Sequence, residues 1–209
     1  MVLIGIDDTD NKHSRGTGFR ARQLAALIEN EKKGTVRSIS RHQLFYDSRI
    51  PYTSQNSSAC LSVSEGNKEL LIKTAADFLI RESAPGSDAG LAVAHDEEVN
   101  ESVFKWGIRA KKEVLTQVEA KATAERSDIF LEGYTGNKDG IIGALAAIGL
   151  KKGGNDGRCV WIQGEDIREL KGNYSAQTLY ELLRIDQIIN KEGKKIDNNS
   201  IINVGDWLR

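Results

Sequence analysis

Hydrophobic and polar positions repeat with two different periods along the first half of the chain, and they predict six elements. Residues 2–7 form a short apolar run that enters an acidic loop, which is typical of a buried strand. Residues 57–64 alternate cleanly, with Ala59, Leu61 and Val63 on one side. The predicted elements are a strand at 2–7, a helix at 17–33, strands at 35–46 and 57–64, a helix at 67–82 and a strand at 89–95. This β-α-β-β-α-β order is that of a ferredoxin-like fold.

The second half continues the mixed pattern and extends the predicted fold. Its predicted elements are a helix at about 100–124, a strand at 128–133, a helix near 140–149, a strand at about 158–163, a short helix near 175–184 and strands near 186–189 and 201–208. The fold class is therefore α+β, a mixed α/β chain whose ferredoxin-like first half is extended by further α/β units. We expect a main domain at 1–164 and a small C-terminal α/β module at 165–209.

Composition excludes several classes of protein. The chain has 209 residues and two cysteines, Cys60 and Cys159. Two cysteines cannot build a four-thiolate zinc site or a dense disulfide framework, so we expect no zinc and a reducing, cytoplasmic setting. No stretch approaches the roughly 20 apolar residues that span a bilayer, and the N-terminus lacks a signal-peptide pattern.

Charge is balanced overall but uneven along the chain. The net charge of −1 excludes a globally basic protein that coats nucleic acid. Residues 11–50 nevertheless carry nine basic and three acidic residues, a local charge of +6, whereas residues 77–101 carry −6. Two interpretations stay open: both segments are solvated faces, or the basic segment faces an anionic substrate.

The loop after the first strand holds three carboxylates within four residues. Asp7, Asp8 and Asp10 repel one another, and a divalent cation would remove that conflict. Magnesium prefers such hard oxygen ligands and is often held by one or two carboxylates together with substrate phosphates. The alternative is a solvated turn, which Asp and Asn also favour. A phosphatase motif of the form Asp-x-Asp-x-Thr is disfavoured, since Lys12 stands at its last position.

A glycine-rich turn precedes the Ala-rich helix predicted near 140–149. A turn of this kind exposes N–H groups beside the positive end of a helix, where phosphate binds. The candidate phosphate-binding residues of this turn are Gly136, Lys138, Gly140 and Gly143. Gly143 is equally suited to close packing of the helix on a strand. Neither the Walker A spacing nor the dinucleotide-binding spacing is present.

Two arginines near the acidic loop, Arg15 and Arg20, suit phosphate oxygens because the guanidinium group is a planar fork of donors. Plain solvation of both is the alternative. His42 is the strongest of three histidine candidates for general acid–base chemistry, because it adjoins Arg41.

Two motifs carry a family resemblance. Residues 5–10 (GIDDTD) and 140–149 (GIIGALAAIG) resemble signatures of the kinase-like catalytic N-terminal domain of archaeal isoleucine-tRNA agmatinylcytidine synthetases. A weaker third match lies between them, at Arg41, Pro51, Thr53 and Asn56. The matches follow the family's order and span residues 3–149.

The resemblance implies an ATP-dependent kinase-like domain that uses Mg²⁺. By position, Asp7, Asp8 and Asp10 would hold the metal, and Gly140 and Gly143 would lie near the phosphates. The family's Gly-x-Cys-Thr-Thr segment is replaced here by residues 16–20 (GTGFR), where Thr17 is the substitute for the threonine pair. The family's RNA-binding and zinc-ribbon modules have no counterpart, which predicts a stand-alone homologue of the catalytic part.

Our first hypothesis is therefore a Mg²⁺-dependent, ATP-binding phosphotransferase or ligase whose acceptor is an RNA nucleotide or a small metabolite. Asp8, Thr17 and Arg20 are its predicted catalytic residues, and Arg15 joins the glycine turn in binding ATP. The second hypothesis is a non-catalytic nucleotide-binding regulatory protein, which the missing threonine pair favours. A Mg²⁺-dependent phosphatase is the third. The sequence is compatible with a homo-oligomer, and nothing in it indicates a membrane partner.

Overall fold

A computed structural model describes residues 1–53, 55–162, 167, 169–185, 188–190, 192 and 194–205. Its strands are β1 (Val2–Asp7), β2 (Thr35–Gln43), β3 (Ser57–Ser64), β4 (Gly90–His95), β5 (Phe130–Gly133), β6 (Arg158–Ile162), β7 (Gly172–Ser175) and β8 (Ile201–Val204). Its helices are α1 (Thr17–Asn30), α2 (Lys68–Glu82), α3 (Glu101–Arg109), α4 (Gln117–Arg126), α5 (Gly140–Gly153) and α6 (Ala176–Leu183). No helix among the described residues is both long enough and apolar enough to cross a bilayer.

Six of the strands form one antiparallel sheet in the order β5-β4-β1-β3-β2-β6. The central order β4-β1-β3-β2 is that of a ferredoxin-like fold, so the predicted α+β class and its ferredoxin-like first half are confirmed. The strands added at the two edges, β5 and β6, come from the second half of the chain. They widen the sheet on both sides of the ferredoxin-like unit.

The sheet has helices on both faces, and β1 shows how its sequence serves both. Successive side chains of a strand point to opposite faces. Val2, Ile4 and Ile6 belong to the core formed with α1 and α2. Leu3 belongs to the core formed with α3, α4 and α5. By the same alternation, Asp7 projects from the end of β1 toward the α5 face.

Glycines let α5 lie unusually close to the sheet. A Cβ atom on Gly5 of β1 would overlap the carbonyl oxygen of Ala144, and one on Gly90 of β4 would overlap the backbone of Gly140 and Ile141. The Ala-rich sequence of α5 suits this position, because small side chains permit close backbone approach. Ten of its 14 residues are buried, so it is the central helix of its layer.

The single helix predicted at 100–124 is wrong, because the segment folds as α3 and α4 with a break between them. Thr116 caps the N-terminus of α4, accepting a hydrogen bond from the backbone N–H of Glu119, whose carboxylate accepts one from the backbone of Thr116. This reciprocal capping box starts a new helix and satisfies N–H groups that a continuous helix would have used internally.

The C-terminal segment contains a strand that the sequence analysis did not predict. β7 pairs with β8 in a separate two-stranded sheet, and α6 contributes to a small apolar cluster formed by Ile167, Leu179, Leu183 and Val204. Of the strand predicted near 186–189, residues 186 and 187 lie outside the described residues, and Ile189 forms an isolated bridge to Lys195. Residues 163–166 and 206–209 also lie outside them, so the division at 164/165 stays a prediction.

Candidate functional site

The acidic loop begins where β1 ends, and Asp7 lies in the narrow space between that strand and α5. Its carboxylate lies directly against Gly143, where any Cβ would overlap Oδ2. Burial raises the pKa of Asp7 to about 8, and the neighbouring charges of Asp8 and Asp10 add to the effect. The folded protein therefore disfavours the ionised form of this carboxyl group, unless a cation binds beside it.

Asp8 takes up a left-handed backbone conformation, with a φ of 50°. Asp tolerates this region better than most residues, and the turn sends its side chain toward other carboxylates. Burial raises the pKa of Asp8 to about 6, and repulsion from Asp88, Asp10 and Asp139 contributes. Five aspartates thus interact around one point of the fold.

Asp88 and Asp139 are site residues that the sequence analysis missed. Asp88 lies two residues before β4, and β4 pairs with β1 so that Gly90 faces Asp7. The start of an antiparallel strand lies beside the end of its neighbour, so the sheet order, once known, would have indicated Asp88. Asp139 precedes α5 and accepts a hydrogen bond of 2.6 Å from the Gln117 side chain. The sequence feature that could have indicated Asp139 is its position directly before the helix predicted near 140–149.

Asp10 is held in place by two threonines. Thr17 donates to Oδ1 of Asp10 through its backbone N–H (3.1 Å) and its hydroxyl (3.0 Å). Thr53 donates to Oδ2 over 2.6 Å. The Thr17 hydroxyl also accepts a hydrogen bond of 3.2 Å from the hydroxyl of Thr9, and Thr17 as a residue is 5% exposed. These bonds make Thr17 a positioning residue for the Asp10 carboxylate.

A cleft of about 170 Å³ opens above these carboxylates. Asp7, Asp8, Asp10 and Asp139 line its acidic end. Its other walls combine an apolar part with polar side chains, among them Arg49, Gln55, Asn56 and Glu113. The apolar part is formed by Leu44, Ile50, Pro51, Tyr52, Val114, Leu115 and Ile142. Tyr52 packs edge-on against Tyr46 with ring centroids 5.4 Å apart, and both rings are exposed. The cleft therefore combines a site for a cation or polar group with a site for a flat apolar group.

The candidate metal ligands at the acidic end of the cleft are all carboxylate oxygens, the ligand type that Mg²⁺ prefers. Among the described residues, no group of three or more His, Cys, Asp or Glu side chains is arranged to hold a metal ion. Magnesium commonly uses only one or two carboxylates and takes its remaining ligands from water and phosphates. The raised pKa values of Asp7 and Asp8 are the observation that supports a fit, because a cation would stabilise both carboxylates.

The glycine turn contributes to the cleft unevenly. Gly140 and Gly143 line it, yet the N–H of Gly140 is already bonded to the carbonyl oxygen of Asp88 over 2.8 Å. Gly136 packs against Asp88, whose carboxylate accepts from the backbone of Asn137. Lys138 pairs with Glu132 over 3.6 Å and does not line the cleft. The structure thus gives these glycines a packing role at the edge of the acidic site.

The two predicted arginines both approach the ring of Phe19, but they make different further contacts. Arg15 lines a second cavity beside the cleft, with its guanidinium 3.9 Å from the ring centroid of Phe19. Arg20 instead bonds to Gln23 over 2.8 Å and pairs with Glu82 over 3.6 Å. It lines neither cavity.

His42 lies outside both cavities, fully buried in a polar chain. Its ring nitrogens lie 2.8 Å from the Ser40 hydroxyl and 2.9 Å from the Asp156 carboxylate, which also pairs with Lys111. Burial lowers the pKa of His42, and the nearby charges of Lys111 and Lys151 act in the same direction. With its ring 0% exposed, His42 ties β2 to the turn before β6 and does not face a substrate.

Comparisons with known proteins support the fold and the resemblance noted in the sequence. No family model matches the chain. An uncharacterized protein of Methanocaldococcus jannaschii is 30% identical over 158 residues, covering 71% of this chain and 49% of that protein. A crystal structure of a tRNA fluorescent labeling enzyme is 25% identical, with a TM-score of 0.62, over 71% of this chain and 35% of its own.

TiaS, an agmatidine synthetase that acts on an isoleucine tRNA, is a further match. Its structure in complex with that tRNA and ATP has a TM-score of 0.62 at 24% identity, over 71% of this chain and 36% of that chain. The resemblance to the agmatinylcytidine synthetases is therefore confirmed at the level of the fold. The chain spans about half the length of the M. jannaschii protein and about a third of the solved chains.

Proposed function

We propose that the chain binds ATP with Mg²⁺ in the cleft and acts as a phosphotransferase or ligase. One observation carries this proposal: Asp7 and Asp8, at the floor of a cleft that also has an apolar wall, have pKa values raised to about 8 and about 6. Strongly shifted carboxylates in a cleft are more common at functional sites than elsewhere. A metal–nucleotide complex matches both the acidic end and the apolar walls.

Asp7 and Asp8 would hold the metal. When bound, the metal would neutralise negative charge on the phosphoryl group that is transferred. Asp10 stays fixed by Thr17 and Thr53 at 3.0 and 2.6 Å, so its carboxylate keeps one orientation toward the cleft. Asp139 lies at the positive end of α5, where a helix favours negative charge. This chain's own residues therefore provide a prearranged set of oxygen donors.

The apolar walls would receive the nucleobase. Leu44, Ile50 and Leu115 line the cleft beside Tyr52, so a planar ring could be buried between aliphatic and aromatic surfaces. Burial of apolar surface contributes roughly 25 cal/mol per Å², which makes such a wall a useful source of affinity. The acidic end then faces the phosphate side of the same ligand.

The fold shared with TiaS, which is solved with ATP and its isoleucine tRNA, supports ATP as the nucleotide and an RNA nucleotide as one acceptor class. A small metabolite is the other acceptor class. ATP and Mg²⁺ are the cofactors of this proposal. Arg20 and Lys138, which lie outside the cleft, have no part in it.

A nucleotide-binding regulatory protein is the second candidate. The observation that favours it is Thr17, the substitute for the family's threonine pair, whose hydroxyl is committed to Asp10 and Thr9. A hydroxyl bonded in this way positions a carboxylate but is not free to react. This candidate predicts ATP binding without turnover.

Product analysis after incubation with ATP and Mg²⁺ separates the two candidates. We expect slow, Mg²⁺-dependent formation of ADP or AMP, reduced at least about tenfold by Thr17→Val and retained by Thr17→Ser, because serine keeps the hydroxyl that donates to Asp10 and valine lacks it. Intact ATP after prolonged incubation, in a sample that binds it, would favour the regulatory protein. Equal turnover in both variants would remove Thr17 from the site.

A further inference from the structure

The segment between α3 and α4 forms part of the wall of the cleft. We call residues 110–116 the α3–α4 connector. Its cleft-lining residues are Ala110, Glu113, Val114 and Leu115. Leu115 is buried and belongs to the apolar surface that would receive the nucleobase in the proposed function. The position of the connector therefore determines where this wall of the cleft lies.

Backbone hydrogen bonds join the connector to its neighbours. The N–H of Phe45, just after β2, donates to the carbonyl oxygen of Ala110 over 2.9 Å. The N–H groups of Lys112 and Glu113 donate to the carbonyl oxygen of Arg109, in the last turn of α3, over 2.8 and 2.9 Å. An amide hydrogen that is bonded in this way exchanges with solvent only when the structure around it opens. These three amides therefore report whether the connector stays in place.

Lys111 ties the connector to the turn before β6. Its ammonium group pairs with Oδ2 of Asp156. The two side chains are 30% and 20% exposed, so water and salt screen this pair less than a pair on the open surface. Neither Lys111 nor Asp156 is among the described residues that line the cleft. The connector is thus held from outside the site.

Asp156 is itself fixed by the buried ring of His42. Oδ1 of Asp156 lies 2.9 Å from Nδ1 of His42, and Nε2 of that ring lies 2.8 Å from the Ser40 hydroxyl. A carboxylate only accepts hydrogen bonds, so Nδ1 carries the proton and Nε2 accepts from Ser40. A Cβ on Gly157 would overlap the His42 ring, which packs directly against the turn. The turn that carries Asp156 is therefore anchored to the core of the sheet.

The charges in this chain of side chains leave Lys111 as the cation that Asp156 pairs with. Burial lowers the pKa of His42, and the charges of Lys151 and Lys111 outweigh little of the opposing pull of Asp156 but act in the same direction as burial. Burial also opposes ionisation of Asp156, but hydrogen bonds from Lys111 and His42 hold its pKa below the usual value. The neutral imidazole orients the carboxylate, and Lys111 neutralises it.

We infer that Lys111 and Asp156 are positioning residues for the nucleotide, because together they fix the α3–α4 connector and with it the wall formed by Val114 and Leu115. The inference rests on the proposed function for the identity of the ligand. The fixing of the connector itself requires no ligand. Without the ion pair, the connector would lose its link to the turn before β6, and its apolar side chains would no longer be held in one place beside the ligand.

Hydrogen–deuterium exchange of the full chain without nucleotide or metal, followed by NMR, tests the connector by itself. We expect exchange of the three reporting amides to be at least about fivefold faster in Lys111→Met and unchanged in Lys111→Arg, which restores a cation. Asp156→Asn should resemble Lys111→Met, since asparagine still accepts from His42 but carries no charge for Lys111. Wild-type exchange of these amides in both Lys111→Met and Asp156→Asn would overturn the inference.

Lys152→Met is the matched control. Lys152 lies on α5 and pairs with Asp96 over 2.9 Å, at a similar exposure of 36% and 37%. Neither residue is among the described residues that line the cleft. Its replacement should leave exchange of the three reporting amides as in the wild type. An equal acceleration there would show a general effect of losing a lysine ion pair and would overturn the inference.

Calorimetry of ATP with Mg²⁺ tests whether the connector serves the nucleotide. We expect an affinity at least about fivefold weaker in Lys111→Met and restored in Lys111→Arg. Wild-type ATP affinity in Lys111→Met, in spite of faster exchange, would overturn the role in nucleotide binding. If the wild type binds no ATP, the proposed function fails together with that role, whereas the exchange result still decides whether Lys111 and Asp156 fix the connector.

Discussion

Gly5→Ala is expected to destabilise the protein by on the order of 3 kcal/mol, measured as the free energy of unfolding in denaturant. The added Cβ would overlap the carbonyl oxygen of Ala144 and approach the Ile148 side chain. Both contacts belong to α5, which lies on the centre of the sheet. Relief requires α5 or β1 to move, and both are surrounded by close-packed neighbours that resist displacement.

Gly18→Ala is the matched control for this substitution. Its Cβ would meet nothing closer than 4.0 Å, and the residue lies in the first turn of α1. Replacing a helical glycine with alanine where space exists stabilises by roughly 0.4–1 kcal/mol. If Gly5→Ala were as stable as Gly18→Ala, α5 would not lie against β1 as described.

Asp7→Asn is expected to stabilise the metal-free protein at pH 8 by on the order of 2 kcal/mol while removing a proposed metal ligand. The pKa of Asp7 is raised from 3.8 to about 8 in the folded state. Between these pH values the folded protein binds a proton that the unfolded chain releases. Stability of the wild type therefore falls as pH rises from about 4 to about 8, and Asn, which does not ionise, removes most of that fall.

Denaturant unfolding across this pH range, without divalent cations, checks the result. Asp77→Asn provides the control, because Asp77 is an exposed carboxylate on α2, away from both cavities. It should follow the wild type at every pH. Two results would contradict the raised pKa of Asp7. One is a wild-type free energy of unfolding that does not fall over this pH range, and the other is an Asp7→Asn variant that is less stable than the wild type at pH 8.

The ferredoxin-like half of the fold was predictable because apolar and polar residues repeat with clear helix or strand periods along its elements. The apolar run at 2–7 and the alternation at 57–64 both correspond to strands of the final sheet. The helix predicted at 100–124 failed because apolar periodicity alone does not show a break, whereas Thr116 and Glu119 form a local capping box that signals one. The missed strand β7 is short and has no partner nearby in sequence, since it pairs with β8.

The carboxylates of the site were predictable only where they are adjacent in sequence. Asp7, Asp8 and Asp10 share one loop, whereas Asp88 and Asp139 join them through the sheet order and the position of α5. The glycines before α5 were expected to bind phosphate, but Gly140 and Gly143 first serve to bring α5 against Asp88 and Asp7. A glycine that admits a phosphate and one that admits a neighbouring backbone have the same sequence signature.

The uneven charge along the chain maps only partly onto the two cavities. Arg15 and Arg41 of the +6 segment line the second cavity, and the acidic loop at 7–10 lies at the floor of the cleft. No residue of the −6 segment at 77–101 is among the described lining residues of either cavity.

Isothermal titration calorimetry of ATP, with and without Mg²⁺, tests the nucleotide cleft most directly. The account predicts binding heat that requires Mg²⁺, an affinity at least about tenfold weaker in Asp8→Asn, equivalent to about 1.4 kcal/mol, and no change in Asp77→Asn. No Mg²⁺-dependent heat at millimolar ATP, or wild-type affinity in Asp8→Asn, would contradict it.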